Sequence, residues 1–213
     1  MSETISAREA HSRRIREALL SACEDLLAEQ PIDAITINNI VEAAGVAKGS
    51  FYNHFPDKEA LASSVSAAIR DEVEQAVALS NRNVTDPAYK IVRGACNHLR
   101  FALLNPQRAL IMLRGHEKTA SGDFPLNQNI KAHLQEGLDS TRFEPRCEGA
   151  GVIQILGATY FSMLEIIEHN YSAEQAVALA TRVYTLLLCG FGLREEEASR
   201  IVADSARDII TSS

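Results

Sequence analysis

Apolar residues recur at intervals of three and four along almost the whole chain, which is the period of an amphipathic helix. The first such segment runs from about Ala7 to Glu29, and the long segment after residue 56 runs from Asp57 to about Ser80. No segment alternates long enough to predict a strand, so the pattern indicates an all-α fold. Further helices are predicted at 88–104, 106–117, 126–140, 146–169, 173–192 and 195–211.

Proline, glycine and capping residues mark the boundaries of these segments. Asn105 followed by Pro106 predicts a helix start, since proline is favoured at the first helical position. Ser172 and Gln175 have the spacing of a capping box, in which each residue caps the other's backbone. A loop is predicted at Pro31 to Ala34 and a break at Asn81 to Pro87.

Between the first and the long helix, the pattern predicts a short helix that ends in a tight turn. Thr36 stands at the N-cap position, and Ile35 and Ile40 are placed as a hydrophobic staple around it. Gly45 follows two alanines and can take the left-handed conformation that closes a helix. The apolar face of this helix consists of Ile35, Ile37, Ile40, Val41 and Ala44.

A second short helix is predicted from about Ala47 to Asn53. Phe51 and Phe55 lie four residues apart, so both can anchor this helix on the core. The polar side chains of this segment are then expected to face the solvent. Pro56 ends the segment, Asp57 can cap the following helix, and Lys58 lies in its first turn.

Two short helices joined by a glycine turn are typical of a helix-turn-helix, whose second helix enters the DNA major groove. Lys48 and Ser50 are predicted to contact base edges, while Asn53 is assigned to neither bases nor phosphates. The predicted phosphate contacts are Thr36, Tyr52, His54 and Lys58. The full set of predicted DNA-binding residues is Thr36, Ala47, Lys48, Gly49, Ser50, Tyr52, Asn53, His54 and Lys58.

The run AGVAKGSFYNHFPDKEAL resembles the signature of the TetR (tetracycline-repressor) family of bacterial transcriptional regulators, over about Ile35 to Leu61. The resemblance implies an all-helical homodimer with an N-terminal DNA-binding domain and a C-terminal domain that binds a small ligand. It implies a three-helix helix-turn-helix domain at residues 1–57 and a helical bundle for ligand binding and dimerisation at 58–213. One departure is Asn38 and Asn39, where related sequences often carry acidic residues.

Net charge does not support nucleic-acid binding. The formal net charge is −7, divided as −3 over residues 1–58 and −4 over the remainder. Position matters more than the sum, because four arginines crowd the beginning of the first helix while its acids lie mostly toward the far end. Arg13 and Arg14 are candidate DNA contacts, although such residues are more often ordinary surface charges.

The C-terminal region offers two sets of candidate residues. Small residues permit close helix approach within 146–169 and 173–192, so a dimer interface is predicted at Gly157, Leu164, Tyr184, Leu187, Leu188 and Phe191. The alternative is that these side chains fill the protomer's own core. Apolar bulk with a few polar tips predicts a ligand pocket at His98, Phe101, Met112, His116, Tyr160 and Met163.

Other chemistry has little support in the sequence. The four cysteines form no CxxC pair, which predicts buried thiols in a reducing cytoplasm. No motif indicates catalysis, a cofactor or a metal site, so the protein is expected not to be an enzyme. The most apolar stretch, Ala150 to Ile167, contains Gln154 and Glu165 and is a better buried helix than a membrane span.

The sequence therefore predicts a transcriptional regulator that binds a palindromic operator in double-stranded DNA as a homodimer. A repressor released by an unknown small-molecule effector is the first hypothesis. An activator or architectural DNA-binding protein without small-molecule control is the alternative. A helical enzyme or binding protein in which the motif is accidental is a more remote one.

Overall fold

The structure is a computed structural model that describes residues 7–115 and 128–212. Within these ranges the regular structure is helical and contains no strand, which confirms the all-α fold. The helices are α1 (Ala7–Glu29), α2 (Ile37–Ala44), α3 (Lys48–Tyr52), α4 (Lys58–Ser80), α5 (Pro87–Leu104), α6 (Pro106–Arg114), α7 (Gln128–Asp139), α8 (Gly151–Glu168), α9 (Ala173–Gly190) and α10 (Glu195–Ile210).

Local capping signals account for most of these boundaries. Pro106 is the first residue of α6, as its sequence context predicts. Ser172 and Gln175 form the predicted capping box of α9, with Ser172 N donating to Gln175 Oε1 at 2.8 Å and Gln175 N donating to Ser172 Oγ at 3.3 Å. The predictions at 106–117 and 126–140 extend into residues outside the described ranges.

The predicted helix at 146–169 begins too early. Residues Pro145–Cys147 form a 3-10 turn, and α8 starts only at Gly151. Gly149 lies between them with a φ of 76°, in the left-handed region, which interrupts the helical path. Gly151 lies close to Leu134 of α7, since an added Cβ would stand 2.7 Å from its Cδ2. Apolar periodicity alone did not reveal this break.

The described residues form two compact units. The first contains residues 7–70 together with Leu110–Gly115, and the second contains Asp71–Ala109 with residues 128–212. The division falls within α4, later than the predicted boundary between residues 57 and 58. The first half of α4 belongs to the first unit because Ser66 Oγ donates to the Ile111 carbonyl at 2.8 Å. Three apolar residues of this half are also buried: Leu61, Val65 and Ile69.

The first unit has a core built from one face of each of its helices. α1 packs against α2, and α2 packs against α3. α1 supplies Leu19 and Cys23, both with no exposed surface. The side chains that meet them in this core are Ile35, Ile40, Phe51 and Phe55, each at most 4% exposed.

The second unit is organised around α5, which packs against α7, α8, α9 and α10. Arg142 links the starts of two of these helices. Its Nη2 lies 2.9 Å from Asp86 Oδ2 at the N-cap of α5, and its Nη1 lies 2.8 Å from Glu197 Oε1 in the first turn of α10. The Asp86 hydrogen bond is the largest of the interactions that raise the pKa of Arg142, so this guanidinium stays charged.

The cysteines are free thiols, and three of them are buried. Burial raises the pKa of Cys23 to about 11 and that of Cys96 to about 12. Both therefore remain protonated near neutral pH and act as small apolar core residues, as predicted. Cys189 is half-buried.

α8 is long and apolar enough to cross a membrane by length and composition, with a mean hydropathy of 1.2 over Gly151–Glu168. Core helices of soluble proteins meet the same criterion. α8 packs against α5 and α9. Its buried Thr159 Oγ1 accepts a hydrogen bond from Tyr184 of α9 at 3.4 Å. These contacts account for the apolar residues on the buried side of α8.

Candidate nucleic-acid interface

The start of α2 is fixed by a complete capping box. Thr36 Oγ1 accepts from Asn39 N at 3.2 Å, and Asn39 Oδ1 accepts from Thr36 N at 2.9 Å. Ile35 and Ile40, the predicted staple, are both fully buried. Asparagine thus performs the role that Glu or Gln usually has at the third helical position. The interpretation of Thr36 as an N-cap is confirmed.

Gly45 makes the turn between α2 and α3. Its φ of 65° and ψ of 33° are left-handed, which confirms the predicted role of this glycine. Gly45 N donates to the Glu42 carbonyl at 3.1 Å, and Val46 N donates to the Val41 carbonyl at 3.0 Å. These bonds satisfy carbonyls at the end of α2, and the chain re-enters a helix at Lys48.

Two phenylalanines anchor α3. Phe51 is fully buried and Phe55 is 4% exposed, with ring centroids 6.1 Å apart. The Arg16 guanidinium of α1 lies 5.4 Å from the centroid of the Phe55 ring, which adds a cation–π contact. The predicted anchoring of this helix is confirmed.

The opposite side of α3 is open to solvent. Lys48, Gly49, Tyr52 and Asn53 are exposed, and Tyr52 keeps 54% of its surface. A Cβ added to Gly49 would meet no atom within 4 Å, so the backbone here is accessible. Ala47 before the helix is also exposed, whereas Ser50 and His54 are half-buried and offer less surface than predicted.

An open groove of about 400 Å³ lies between the start of α2 and the start of α4. Its walls carry two cations and three carboxylates, so its electrostatic character is mixed. The backbone N–H groups of Ile37 and Asn38 belong to the first turn of α2 and have no acceptor within their own helix. The groove is lined by Asp33, Ile35, Thr36, Ile37, Asn38, Lys48, Asp57, Lys58 and Glu59.

Asn38 is a groove residue that the predicted set omits. It is exposed and lies at the second position of α2, beside helix-terminal N–H groups that favour an anion. The signal was present in the sequence, because an N-cap at Thr36 implies free N–H groups on the next residues. The prediction used the Thr36 side chain instead.

The Thr36 side chain is committed to the capping box. Thr36 Oγ1 donates to Asn39 Oδ1 at 2.5 Å, and Thr36 N donates to the same oxygen. A phosphate oxygen accepts hydrogen bonds, and both donors of Thr36 are already used. The predicted phosphate contact by Thr36 is therefore replaced here by a contact within α2.

Lys58 is also directed into the protein. Its Nζ donates to the carbonyl oxygens of Ile32 at 2.8 Å and Ile35 at 2.9 Å, with a longer contact to Asp33 O at 3.4 Å. An ammonium has three N–H donors, and all three face these carbonyls. A phosphate contact by Lys58, as the sequence predicted, would require breaking one of these bonds.

The arginines at the beginning of α1 form an exposed basic segment: Arg8, Arg13, Arg14 and Arg16. Arg13 Nε lies 3.6 Å from Glu17 Oε1, and both side chains are more than 60% exposed. Such a pair contributes little to stability and leaves Arg13 available for other partners.

The predicted ligand-pocket residues do not all belong to one unit. His98, Phe101, Tyr160 and Met163 lie in the second unit, whereas Met112 is buried in the first unit. Met112 lies within the predicted domain at 58–213 but outside the second compact unit, because α6 is divided between the two units. His116 lies outside the described residues.

His98 takes part in a polar cluster that sequence analysis did not anticipate. Its Nδ1 lies 2.9 Å from the Gly94 carbonyl, and its Nε2 lies 3.9 Å from Glu74 Oε1. Asn129 of α7 donates to Glu74 Oε2 at 3.1 Å. Nearby, burial and then Lys90 lower the pKa of His133, so its imidazole favours the neutral form. The cluster joins α4, α5 and α7 within the second unit.

Three residues of the predicted dimer interface belong to the protomer's own core. Tyr184, Leu188 and Phe191 have no exposed surface. They cannot contact a second subunit without local unfolding, so this part of the prediction is wrong. Their side of α9 is covered, since α9 packs against α5, α8 and α10. Gly157, Leu164 and Leu187 are half-buried.

The large apolar side chains exposed on α8 and α9 are different ones. Ile153 is 67% exposed, Phe161 is 75% exposed and Leu186 is 74% exposed. Ile153, Gly157 and Phe161 are spaced by four residues and share one face of α8. A Cβ added to Gly157 would meet no atom within 4 Å, so this face has an open hollow between two large side chains.

Comparison with known proteins agrees with this arrangement. Residues 19–65 match a family described as bacterial regulatory proteins, tetR family. The HTH-type transcriptional regulator EthR of Mycobacterium tuberculosis is 28% identical over 69 residues, which are 32% of each chain. The HTH-type transcriptional repressor KstR2 of Rhodococcus jostii is 34% identical over 58 residues, 27% of this chain and 28% of KstR2. The match thus spans about a third of the length of such relatives.

Solved structures extend the similarity to most of the chain. A tetR family transcription regulator from Shewanella sp. PV-4 superposes with a TM-score of 0.72 at 19% identity, over 84% of this chain and 99% of that one. RolR in complex with the ligand resorcinol superposes with a TM-score of 0.61 at 20% identity, over 91% and 95%. At these identities the likeness establishes the fold.

Proposed function

Since the chain belongs to the TetR family of bacterial regulatory proteins, we propose that it is a DNA-binding repressor released from its operator by a small molecule. The first unit binds double-stranded DNA, and the second unit binds the effector and joins two copies into a homodimer. The observation that carries this proposal is the two-sided nature of α3. Phe51 is fully buried, while Lys48, Gly49, Tyr52 and Asn53 on the same short helix are exposed. Such a regulator works in the cytoplasm, where its DNA is.

The exposed side of α3 has the chemistry that major-groove binding requires. Lys48 supplies a flexible cation that can donate to the O6 and N7 acceptors of guanine. Gly49 allows the backbone to approach base edges, and the Tyr52 hydroxyl can donate to a phosphate oxygen. Ser50 and His54 contribute less in this assignment, because both are half-buried.

A phosphate fits at the groove beside α2. The N–H groups of Ile37 and Asn38 point out of the first helical turn, where the helix dipole favours an anion. Lys48 lines the same groove and contributes the positive charge. A phosphate bound there would fix the register of α3 in the adjacent major groove. Asp33, Asp57 and Glu59 line the groove too, and their negative charges oppose a bound phosphate. Because Lys48 neutralises phosphate charge, binding is expected to weaken as salt rises.

A homodimer supplies two copies of α3 for a palindromic operator. Centres of half-sites one helical turn apart are separated by about 34 Å, so a two-fold axis between subunits matches the symmetry of the DNA. The exposed apolar faces of α8 and α9 support dimerisation through these helices. Gly157, Leu164 and Leu187, which are half-buried, lie next to the exposed apolar residues of these helices.

Effector binding is assigned to the second unit. Phe101 and Met163 are buried, Tyr160 is half-buried, and the Glu74–His98–Asn129 cluster offers polar groups. RolR, which has a similar fold, binds resorcinol, and this supports a small-molecule site in the same fold. An effector acts only if it binds the DNA-free conformation more tightly than the DNA-bound one.

Removing Lys48 and Tyr52 together is expected to abolish specific DNA binding. Lys48→Ala with Tyr52→Ala deletes two exposed groups of α3, and losses of about 1–3 kcal/mol each predict a weakening of at least about 30-fold. Band shifts with DNA that flanks the protein's own coding sequence measure the effect. An Arg194→Ala variant, altered at an exposed residue of the second unit, is the control. Equal binding by the double variant and wild type would refute the assignment of α3.

Effector control is tested separately, by adding candidate small apolar or amphipathic molecules to the preformed DNA complex. A true effector is expected to release the DNA and to raise the melting temperature of the free protein, because ligand binding stabilises the folded state. His98→Leu removes the imidazole from the polar cluster and is expected to weaken the response while leaving DNA affinity intact. If no such molecule releases DNA, regulation without small-molecule control becomes the better account.

A further inference from the structure

The Lys58 ammonium holds together a segment that is remote from it in sequence. Its hydrogen bonds to Ile32 O and Ile35 O measure 2.8 and 2.9 Å, and the third contact, to Asp33 O, measures 3.4 Å. These carbonyls belong to the 3-10 turn Ile32–Ala34 and to the residue that follows it. Lys58 itself is half-buried and is the first residue of α4.

The location explains why the ammonium turns inward. The N-terminus of α4 carries a partial positive charge, which disfavours a free cation at its first residue. The carbonyls around the 3-10 turn carry partial negative charge. They therefore offset the unfavourable interaction between the Lys58 ammonium and the helix dipole. The ordinary cap of α4 is supplied separately, since Asp57 Oδ1 accepts from Ala60 N at 2.7 Å. Lys58 is therefore free to bind the preceding turn.

The bound turn leads directly into α2. Ile35 precedes Thr36, the N-cap, and the next two residues carry the helix-terminal N–H groups that line the groove. Holding the Ile35 carbonyl thus sets the direction in which α2 begins. It also sets the separation between the starts of α2 and α4, which form the two walls of the groove.

We propose that Lys58 is a positioning residue for DNA binding. It acts through the carbonyls of Ile32 and Ile35 to hold the α2 N-terminus where a phosphate is received, and it makes no phosphate contact of its own. This inference rests on the proposed DNA binding for its functional consequence. Its structural part, the tie between α4 and the turn before α2, stands without DNA.

The salt dependence of affinity distinguishes the two roles. A lysine that contacts phosphate releases a counterion, so its loss reduces the slope of log affinity against log salt by about one. A positioning lysine makes no phosphate contact, so its loss leaves the slope of log affinity against log salt unchanged. Lys58→Met keeps the length and removes the charge, and it is expected to lower affinity about tenfold with the slope unchanged. Lys48→Met is the matched control, and it is expected to lower the slope by about one.

Lys58→Arg provides the second test. Arginine keeps the cation, but its planar guanidinium cannot direct three donors toward carbonyls grouped around a single point. The positioning role predicts that Lys58→Arg loses affinity as Lys58→Met does. A phosphate contact predicts that Lys58→Arg binds nearly as well as wild type.

The decisive experiment combines DNA titrations between about 50 and 250 mM salt with hydrogen exchange on the free protein. Faster exchange over residues 32–40 in Lys58→Met and Lys58→Arg, but not in Lys48→Met, is the expected result. A reduced salt slope in Lys58→Met with normal binding by Lys58→Arg would overturn the proposal, and so would unchanged exchange over residues 32–40. If wild type itself binds no DNA, the proposed function fails, and the exchange data still decide the role of Lys58. Should Lys58→Met not fold, Lys58→Arg carries the same comparison.

Discussion

Replacing Phe51 with alanine is expected to unfold the first compact unit and to abolish DNA binding. Phe51 is fully buried, and its ring packs against the rings of Phe55 and Tyr52, with centroids 6.1 and 5.4 Å away. Truncating a buried phenylalanine costs about 3–5 kcal/mol. A small domain has a total stability of about 5–15 kcal/mol, so the loss removes much of what holds this unit together.

The neighbouring Tyr52→Ala is the matched control. It removes a similar ring from the same helix, but one that is 54% exposed and packs on Phe51 in a T-shaped arrangement. Its expected cost is about 1 kcal/mol, the scale of one aromatic pair. It should therefore lose DNA affinity while the unit remains folded.

Thermal unfolding followed by circular dichroism, with exchange over residues 15–60, separates the two variants. Phe51→Ala is expected to show rapid exchange throughout this segment at a temperature where Tyr52→Ala is protected. Phe51→Leu should recover most of the stability, since hydrophobic swaps that nearly conserve volume cost less than about 1.5 kcal/mol. A Phe51→Ala protein that keeps both its protection and its DNA affinity would show that α3 is not anchored by this ring.

The helix-turn-helix could be predicted because its signals are local. Thr36 as cap, Gly45 as turn, and Phe51 with Phe55 as anchors each depend on neighbours within four residues. Backbone capping, left-handed turns and helical spacing depend on interactions between residues close in sequence. A single sequence is therefore enough to predict them.

Lys58 shows where such reasoning stops. Its partners lie 23 to 26 residues earlier in the chain and are backbone carbonyls, which have no signature in the sequence. A lysine at the start of a helix is equally compatible with solvent, a phosphate or a carbonyl cluster. Only the three-dimensional path of residues 32–35 decides among them.

Three residues of the dimer-interface prediction were wrong for a related reason. Apolar periodicity marks the face of α9 that avoids water but does not tell whether the same chain or another one covers it. Tyr184 and Leu188 are covered within the protomer, where α9 also meets α10. The exposed apolar residues of α8 and α9 lie off this buried face, which the sequence period alone did not distinguish from it.

Placing glutamates at Phe161 and Leu186 is expected to convert the protein into a monomer. Both side chains are about three-quarters exposed in the single chain, at 75% and 74%, so neither is needed for the protomer's own core. In a two-fold dimer each replacement occurs twice, and the like charges would be desolvated together. The hollow at Gly157 on the same face would no longer receive an apolar side chain.

The monomer is expected to bind the operator at least about 100-fold more weakly, because the second half-site is no longer held at high effective concentration. Light scattering at several protein concentrations, followed by band shifts on full and half operators, measures both effects. Leu104→Glu is the control, since Leu104 is also 62% exposed in the second unit but lies at the end of α5. If the Phe161→Glu, Leu186→Glu protein remains a dimer, or if Leu104→Glu disrupts it instead, α8 and α9 do not form the interface. A folded double variant that is monomeric and still binds the half operator would show that these two faces are needed only for dimerisation. Each α3 would then bind its half-site without the partner subunit.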